Sequence, residues 1–332
     1  MAQNGIRSVA PNPMVGAVLV CSGRIIGEGW HRRYGSPHAE VNCFASVKPE
    51  DAHLIPQSTL YVSLEPCSHY GKTPPCCDLV VSKHPQRVVV GMGDPNPLVA
   101  GKGLEKIRQA GIEVITGVLE QECRALNKRF LCLHEKHRPY VTLKWAQSAD
   151  GFIDAKRTGR SQPVVISNAV TKVLVHKMRA ENMAILVGAN TAVLDDPRLM
   201  TTRWTGRNPL RGVIDSHGSL PHDARLRSND AETIIFDQLP DLRTHGHEAW
   251  KTVFDELAKR GIHSLIIEGG AVTLQSVINC GLWDEAQIEI GACKIGDGVK
   301  APVIPHLPTE QHELLGHKVI RIKQIDRCAD RT

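Results

Sequence analysis

Three side chains with the donor atoms that zinc prefers accompany a carboxylate in the first third of the chain. His38 lies two residues before Glu40, and Cys67 and Cys76 follow further along. A histidine nitrogen and two thiolates make three zinc ligands and leave a fourth position for water, whose pKa the metal lowers. Glu40 is placed to accept the water proton and to deliver it to a departing amine. The pattern therefore predicts a zinc-dependent deaminase, with Glu40 as the catalytic proton carrier.

The same residues are also compatible with a structural zinc site or with unrelated buried cysteines. A structural site is normally closed by a fourth cysteine or histidine, and Cys77 is the obvious candidate. On a helix that begins near Cys76, however, the side chain of Cys77 is expected to point elsewhere. The neighbouring Glu40 favours the catalytic interpretation, and the remaining cysteines are better explained as small core or surface residues.

The cysteine pair departs from the spacing of many zinc deaminases, because eight residues separate Cys67 from Cys76 instead of two. Together with residues 11–16, 37–41 and 64–76, this longer loop resembles the bifunctional deaminase–reductase family of riboflavin biosynthesis. The resemblance implies a cytidine-deaminase-like domain of three α/β/α layers, with His38, Cys67 and Cys76 as zinc ligands.

The resemblance also implies which residues hold the deaminase substrate. The residues that orient the pyrimidine and receive the ribose phosphate would be Asn12, His69 and Lys72. Lys72 offers a point charge for a phosphate, but a lone loop lysine is explained equally well as a solvated residue. The family carries a full helix before residues 11–13, and only ten residues precede them here, so we expect a shortened N-terminal helix.

In the second half, no Gly-x-Gly-x-x-Gly motif follows a strand, which argues against a Rossmann dinucleotide fold. Residues 266–271 instead predict a strand that ends in two glycines and leads into a helix. Such a joint lets the backbone approach a pyrophosphate closely, although strand–Gly-Gly–helix joints are also common turns. Residues 144–151, 194–199, 213–216 and 268–270 occur in the order of the family's reductase domain.

By this resemblance the second half is a dihydrofolate-reductase-like α/β domain that uses NADPH to reduce a ribosylamine to a ribityl chain. The residues that would line the cofactor are Ala146, Thr191, Asp195, Ser216 and Gly270. Those that would hold the substrate are Ser161, Arg179, Leu199, Arg203 and Glu268. Arg179 could instead cap a helix, and Arg203 could instead be a solvated loop residue. Residues 199–203 are one residue longer than the family's segment, which shifts the match at Arg203 by up to one position.

The elements that position these residues alternate along both halves, which predicts an α/β fold throughout. A polar segment, residues 134–139, separates the halves. We place the deaminase domain at residues 1–138 and the reductase domain at residues 139–332. A single helix is predicted over residues 120–135, and strands are predicted at residues 24–30, 59–64, 87–92 and 140–147.

The composition limits the classes of partner that the protein is expected to have. The chain has 332 residues, 42 % of them hydrophobic, and a formal net charge of +5. No apolar run is long enough to cross a bilayer, and the N-terminus does not read as a secretory signal. We therefore expect a cytoplasmic enzyme of small phosphorylated pyrimidines, without a membrane or nucleic-acid partner. The sequence leaves room for a homo-oligomer, since both domain types often self-associate in related proteins.

Two other functions remain open from the sequence. The zinc site could serve a nucleic-acid base, as in tRNA-editing deaminases, but that function calls for a basic, aromatic-rich face, and aromatic residues make up only 4 % of the chain. The first domain could also be a metal-stabilised scaffold without activity, beside a working reductase.

Overall fold

A computed structural model describes residues 1–71, 74–96, 100–305 and 309–324. The chain divides into two compact units, Met1–His137 and Arg138–Thr332. Within the described ranges, no helix has the length and apolar character needed to span a membrane. Each cysteine in these ranges is a free thiol.

The first unit is built on a five-stranded sheet. Its strands are β1 (Gly16–Cys21), β2 (Arg24–Trp30), β3 (Thr59–Leu64), β4 (Arg87–Met92) and β5 (Glu113–Thr116). Its helices are α1 (Ala39–Ala45), α2 (Cys76–Lys83), α3 (Lys102–Gln109), α4 (Glu120–Leu126) and α5 (Lys128–Lys136), with 3-10 helices at Ala2–Gly5 and Pro49–Gln57. The strand order is β2-β1-β3-β4-β5, with β1 antiparallel to both neighbours and β3, β4 and β5 parallel.

The strands of this unit place apolar residues on both faces of the sheet. Val88 and Val90 of β4 pack with Cys43 of α1 and Ile107 of α3 in the main core. Because side chains alternate along a strand, Gly91 faces the other way, and Cys123 of α4 lies against it. The unit therefore has helices on both faces, in three α/β/α layers.

The predicted single helix over residues 120–135 is wrong, since Asn127 separates α4 from α5. The Asn127 side chain is buried and forms two hydrogen bonds with the backbone of Met14, one through Oδ1 at 2.8 Å and one through Nδ2 at 3.0 Å. This tertiary contact fixes the segment that leads into β1, and the helix breaks where the contact is made.

The second unit is built on an eight-stranded sheet. The strands of the unit are β6 (Tyr140–Gln147), β7 (Phe152–Asp154), β8 (Ala184–Gly188), β9 (Leu210–Ile214), β10 (Thr233–Phe236), β11 (Ser264–Glu268), β12 (Glu285–Ile290), β13 (Val299–Lys300), β14 (Thr309–Leu314) and β15 (His317–Lys323). Its helices are α6 (Ala169–Glu181), α7 (Ala189–Asp195), α8 (Gly246–Lys259) and α9 (Ala271–Asn279), with a 3-10 helix at Arg225–Arg227.

The large sheet has the order β10-β9-β8-β11-β6-β12-β15-β14, and its first six strands are parallel. The β14–β15 hairpin extends it in antiparallel fashion, and β7 and β13 form a separate two-stranded sheet. Parallel strands bring their carboxyl ends to one edge, where open α/β sheets usually bind ligands.

Both faces of the large sheet are covered. Leu143 and Trp145 of β6 pack with Trp250 of α8 and Leu274 of α9 on one face. Ile185 of β8 belongs to a second cluster on the other face, with residues of α7 and the segment that follows it. Lys144 lies between Leu143 and Trp145, so its side chain emerges on the face opposite to theirs, next to α6.

Candidate functional sites

The three predicted zinc ligands of the first unit lie together. The ligand atoms of His38, Cys67 and Cys76 are all within 4.8 Å of one another. His38 Nδ1 is 3.6 Å from Cys67 Sγ and 3.3 Å from Cys76 Sγ. His38 precedes the first turn of α1, Cys67 follows β3, and Cys76 begins α2, so rigid elements hold all three. One nitrogen and two sulfurs at this spacing fit a zinc ion with an open fourth position.

The state of the Cys67 thiol supports this fit, whereas the hydrogen bond with Cys67 and burial raise the pKa of the Cys76 thiol. A hydrogen bond from Cys76, together with His38, lowers the pKa of Cys67 to about 4. The backbone N–H of Cys76 also donates to Cys67 Sγ, at 3.3 Å. A thiolate is the form of cysteine that binds metals, so the surroundings of Cys67 favour the ligand form.

Glu40 is buried in the first turn of α1, in hydrogen-bond contact with Cys76. Burial raises the pKa of its carboxyl group to about 7. The carboxylate therefore lies beside the three ligands, where a group that exchanges protons with a ligand of the metal would have to be. Cys77 is not part of the cluster, because its thiol donates to Asp78 Oδ1 at 3.2 Å.

His31 is a residue of this site that the sequence did not single out. It is buried, its ring lies edge-on to that of His38 with 5.1 Å between centroids, and burial lowers its pKa. Its Nδ1 donates to the carbonyl of Pro37 at 3.1 Å, which leaves Nε2 to accept from Asn12 Nδ2 at 3.2 Å. This fixes the amide nitrogen of Asn12 on His31, so that the Asn12 oxygen is the group left for a ligand.

The other two predicted substrate residues lie on the loop between Cys67 and Cys76. His69 is exposed there, and Lys72 falls outside the described residues. Next to this loop, the buried carboxylate of Glu65 accepts backbone N–H groups from Asp94 at 3.3 Å, Gly101 at 3.0 Å and Gly103 at 3.2 Å. Glu65 thereby ties the turn before Cys67 to the start of α3.

Close packing at the start of α3 explains the glycine there. A Cβ at Gly103 would lie 2.1 Å from the carbonyl oxygen of Pro66. Only glycine therefore allows α3 to approach the turn that carries Cys67. The sequence contained no spacing signal for this contact, since the two segments are far apart along the chain.

In the second unit, three of the predicted cofactor residues lie on elements that follow strands at the carboxyl edge of the sheet. Thr191 and Asp195 are on α7, which follows β8, and Gly270 joins β11 to α9. Gly270 has φ +74°, and a Cβ there would lie 3.2 Å from Thr191 Oγ1. No side chain caps the first turn of α9, so its N–H groups suit an anionic group such as a pyrophosphate.

The two remaining predicted cofactor residues lie at the same edge. Ala146 is half-buried near the end of β6, and Ser216 follows β9 directly after Asp215. Asp215 is buried, and its carboxylate accepts the backbone N–H groups of Ser219 and Leu220 at 2.8 and 2.9 Å. Asp215 therefore shapes the turn that presents Ser216. The donors and the glycine turn at this edge fit a dinucleotide such as NADPH.

Among the predicted substrate residues of this unit, Arg179 and Glu268 form an ion pair. Arg179 Nη2 lies 2.8 Å from Glu268 Oε2, and Arg179 Nη1 donates to the carbonyl of Met200 at 3.2 Å. Although burial opposes its charge, the pKa of Glu268 is lowered by Arg179 and by Lys144. Glu268 thus has a partner within the protein, and Arg179 binds Glu268 rather than only capping α6.

Arg203, Leu199 and Ser161 are placed differently. Arg203 is exposed. Burial, then Arg179 and then Arg203 lower the pKa of the nearby His176 imidazole. Leu199 has φ +53° and a buried side chain, so only its backbone can face a ligand. Ser161 is exposed on the segment after β7, and its carbonyl accepts from Arg157 Nη1 at 2.7 Å.

Lys144 and Glu289 form a further polar group that the sequence did not single out. Lys144 lies beside Glu268 in register. Although burial opposes the charge of Glu289 on β12, hydrogen bonds lower the pKa of that carboxyl group, and Lys144 adds a smaller effect in the same direction. Glu289 accepts from Ser167 Oγ at 2.6 Å and pairs with His317 Nδ1 at 2.7 Å. A lysine between two largely buried carboxylates is thus held next to the candidate substrate residues.

Comparison with known proteins identifies the family. Residues 139–327 match the RibD C-terminal domain, and residues 1–92 match the cytidine and deoxycytidylate deaminase zinc-binding region. Riboflavin biosynthesis protein RibD of Aquifex aeolicus is 40 % identical over 304 residues, which cover 87 % of this chain and 83 % of that protein. The chain belongs to the RibD family. The Escherichia coli RibD protein is 36 % identical over 329 residues, covering 90 % of this chain and 87 % of that protein.

Solved structures agree with this assignment. A diaminohydroxyphosphoribosylaminopyrimidine deaminase/5-amino-6-(5-phosphoribosylamino)uracil reductase from Thermotoga maritima has a TM-score of 0.86 and 33 % identity, with 98 % of this chain and 95 % of that chain covered. RibD of Acinetobacter baumannii has a TM-score of 0.84 and 31 % identity, with 98 % and 96 % covered. This RibD-family chain is therefore a bifunctional deaminase/reductase of riboflavin biosynthesis, with a cytidine-deaminase-like domain before the reductase domain.

Proposed function

We propose that the first unit deaminates 2,5-diamino-6-ribosylamino-4(3H)-pyrimidinone 5′-phosphate to 5-amino-6-(5-phosphoribosylamino)uracil, and that the second unit reduces the ribosyl group of that product to a ribityl chain. The observation that carries the proposal is the cluster of His38, Cys67 and Cys76 within 4.8 Å, with the buried Glu40 beside it. The proposed substrate is the one that gives the T. maritima deaminase/reductase its name. The proposed domains are residues 1–138 and 139–332.

In the proposed deamination, water replaces an amine on an amidine-like ring carbon, and ammonia leaves. His38, Cys67 and Cys76 would hold zinc, which supplies a polarised water of lowered pKa. Glu40 takes the proton of the attacking water and gives it to the amine nitrogen, which becomes a neutral leaving group. The Asn12 oxygen, oriented by His31, accepts from the pyrimidine edge, and His69 and Lys72 bind the remainder of the substrate.

In the proposed reduction, the second unit binds and orients two ligands. NADPH would lie along Ala146, Thr191, Asp195, Ser216 and Gly270 and would supply a hydride to C1′ of the ring-opened ribosylamine. The cofactor's pyrophosphate would meet the uncapped first turn of α9.

The substrate of the reduction would lie between α6 and the carboxyl edge of the sheet. The residues proposed to bind it are Ser161, Arg179, Leu199, Arg203 and Glu268. Arg179 and Arg203 supply positive charge for the phosphate, and Glu268, held by Arg179 at 2.8 Å, can accept from ribose hydroxyl groups.

The experiment is a coupled assay with the purified zinc-loaded protein. Addition of the diaminopyrimidine ribotide should release one ammonia per substrate, and NADPH should then be oxidised in the same stoichiometry. Absence of ammonia would refute the first step. Absence of NADPH oxidation with separately prepared deaminated product would refute the second step.

A further inference from the structure

Arg157 lies on the exposed segment that follows β7, yet only 8 % of its side chain is exposed. Its Nε donates to Asp154 Oδ2 at 2.6 Å, and its Nη1 donates to the carbonyls of Ser161 at 2.7 Å and Leu194 at 3.3 Å. Its Nη2 forms an ion pair with Asp195. One guanidinium group thus contacts three separate parts of the unit.

Asp154 fixes the base of the same segment. Its Oδ1 accepts the backbone N–H of Ala155 at 2.9 Å and that of Val164 at 3.0 Å. The segment between these two residues is therefore closed at its ends by one carboxylate. Inside it, Arg157 is the side chain that reaches back to α7, so the position of Ser161 depends on Arg157.

Asp195 is the last residue of α7, and its side chain is 32 % exposed. Thr191 of the same helix lies one turn earlier and contacts the Gly270 turn. Arg157 therefore joins the segment of Ser161, a candidate substrate residue, to the helix of Asp195, a candidate cofactor residue. A fork of several N–H donors can make such contacts at once, which a lysine cannot.

Arg157 also balances charge at this edge. Asp154 and Asp195 are both within ion-pair distance of its guanidinium, so the group carries one positive and two negative charges. Without the arginine, two carboxylates would remain next to the proposed path of a cofactor that has several phosphates. Removal of Arg157 would therefore disfavour NADPH by repulsion as well as loosening the Ser161 segment.

We propose that Arg157 is a positioning residue of the reductase reaction, which places Asp195 and the Ser161 segment together for the cofactor and the substrate. The proposal rests on the proposed reductase function. It predicts that loss of Arg157 affects both ligands of the reductase, because its guanidinium contacts a candidate residue for each of them.

The test compares R157Q with R160Q in the full zinc-loaded chain. Arg160 is a matched control on the same segment, because its partner is Asp223, at 3.2 Å, and both side chains are largely exposed. For R157Q we expect KM for NADPH and for the deaminated substrate each to rise about 10- to 100-fold, as small misplacements of binding groups do. R160Q should retain both KM values, and both variants should release ammonia at the wild-type rate.

A double-mutant cycle distinguishes a role of Arg157 in positioning Asp195 from a general loosening of the segment that carries Arg157. With D195N present, Asp195 no longer carries an unpaired charge, so R157Q should add little to KM for NADPH. Independent, multiplicative effects of R157Q and D195N would overturn the proposal, as would wild-type KM values in R157Q. If R157Q does not fold, R157K serves instead, and its KM for the substrate should rise more than its KM for NADPH.

Binding of NADP⁺ measured by calorimetry distinguishes this proposal from the proposed reaction, because it requires no turnover. If the wild type binds NADP⁺ but does not oxidise NADPH with the deaminated substrate, the proposed reaction fails. The proposal for Arg157 is then tested by the dissociation constants of the variants for NADP⁺. A weaker constant for R157Q than for R160Q supports the proposal, and equal constants overturn it. If the wild type does not bind NADP⁺, both proposals fail.

Discussion

Replacement of Arg179 by methionine removes the partner of a poorly exposed carboxylate. Arg179 and Glu268 have side chains that are 15 % and 12 % exposed, with 2.8 Å between Nη2 and Oε2. In R179M, Glu268 keeps only Lys144 and His176 as positive or protonatable neighbours among those that lower its pKa. The Glu268 carboxylate then remains largely buried and has lost its hydrogen bond with the guanidinium.

The size of the effect follows from this geometry. Breaking a buried ion pair by removal of one partner costs about 3–5 kcal/mol. The charge of Lys144 compensates in part, so we expect about 3 kcal/mol of lost unfolding free energy, at the lower end of that range. For a unit of this size, such a loss lowers Tm by about 6–12 °C.

The effect should depend on pH in a definite direction. The pKa of Glu268 in the folded wild type lies below its ordinary value of 4.5. The carboxylate therefore contributes stability that is fully present above pH 4.5 and is lost as the pH falls through the folded pKa. In R179M, the arginine no longer offsets the effect of burial, so the pKa of Glu268 rises and the carboxylate takes up its proton at a higher pH. The stability difference between the two proteins should therefore narrow as the pH is lowered.

The assay is thermal and denaturant unfolding of the zinc-loaded chain at several pH values, followed in the reductase unit. K177M is the matched control, because Lys177 is on the same helix and pairs with Glu181 at 3.3 Å, with 44 % of the lysine exposed. The double variant R179M/E268Q should be more stable than R179M alone, since it removes the unpaired charge. A loss in R179M no larger than in K177M would refute the reasoning.

Three further predictions concern single residues. H31F should lower kcat/KM for ammonia release about tenfold or more, as misplaced binding groups do. Its zinc content should stay unchanged, because His31 is outside the candidate ligand cluster, and a loss of zinc would contradict this prediction. E65Q should lower the free energy of unfolding of the first unit by about 1–3 kcal/mol, because an amide group cannot satisfy all the N–H donors around Glu65. An unchanged midpoint of urea unfolding would count against this prediction. G270A should raise KM for NADPH, and it should lower the free energy of unfolding by about 1–3 kcal/mol because φ is positive at this position. Ammonia release should be unaffected and serves as the control. An unchanged KM would argue that this turn does not contact the cofactor.

Much of the fold was predictable because its signals are local. The strands at residues 24–30, 59–64, 87–92 and 140–147 lie where the apolar runs predict them. The β14–β15 hairpin was not predicted, since β14 is exposed along nearly its whole length and has no alternating apolar pattern. The break at Asn127 was also missed, because its cause is a contact with Met14, which is distant in sequence.

The grouping of the three candidate metal ligands was predictable because each of them lies at the start of a helix or just after a strand, in a short motif. His31 and Glu65 were missed, because their partners lie on other segments and no spacing along the chain marks them. Lys144 carried a signal that could have been used. A lysine between the core residues Leu143 and Trp145 of a central strand must point to the opposite face, where a polar partner is required.

Zinc content and ammonia release, measured together for the wild type and E40Q, separate metal binding from proton transfer at the candidate deaminase site. We expect about one zinc per chain in both proteins and ammonia release only in the wild type, because the proposed proton carrier Glu40 is outside the candidate ligand cluster. Ammonia release by E40Q at the wild-type rate, with zinc retained, would show that Glu40 does not carry the proton.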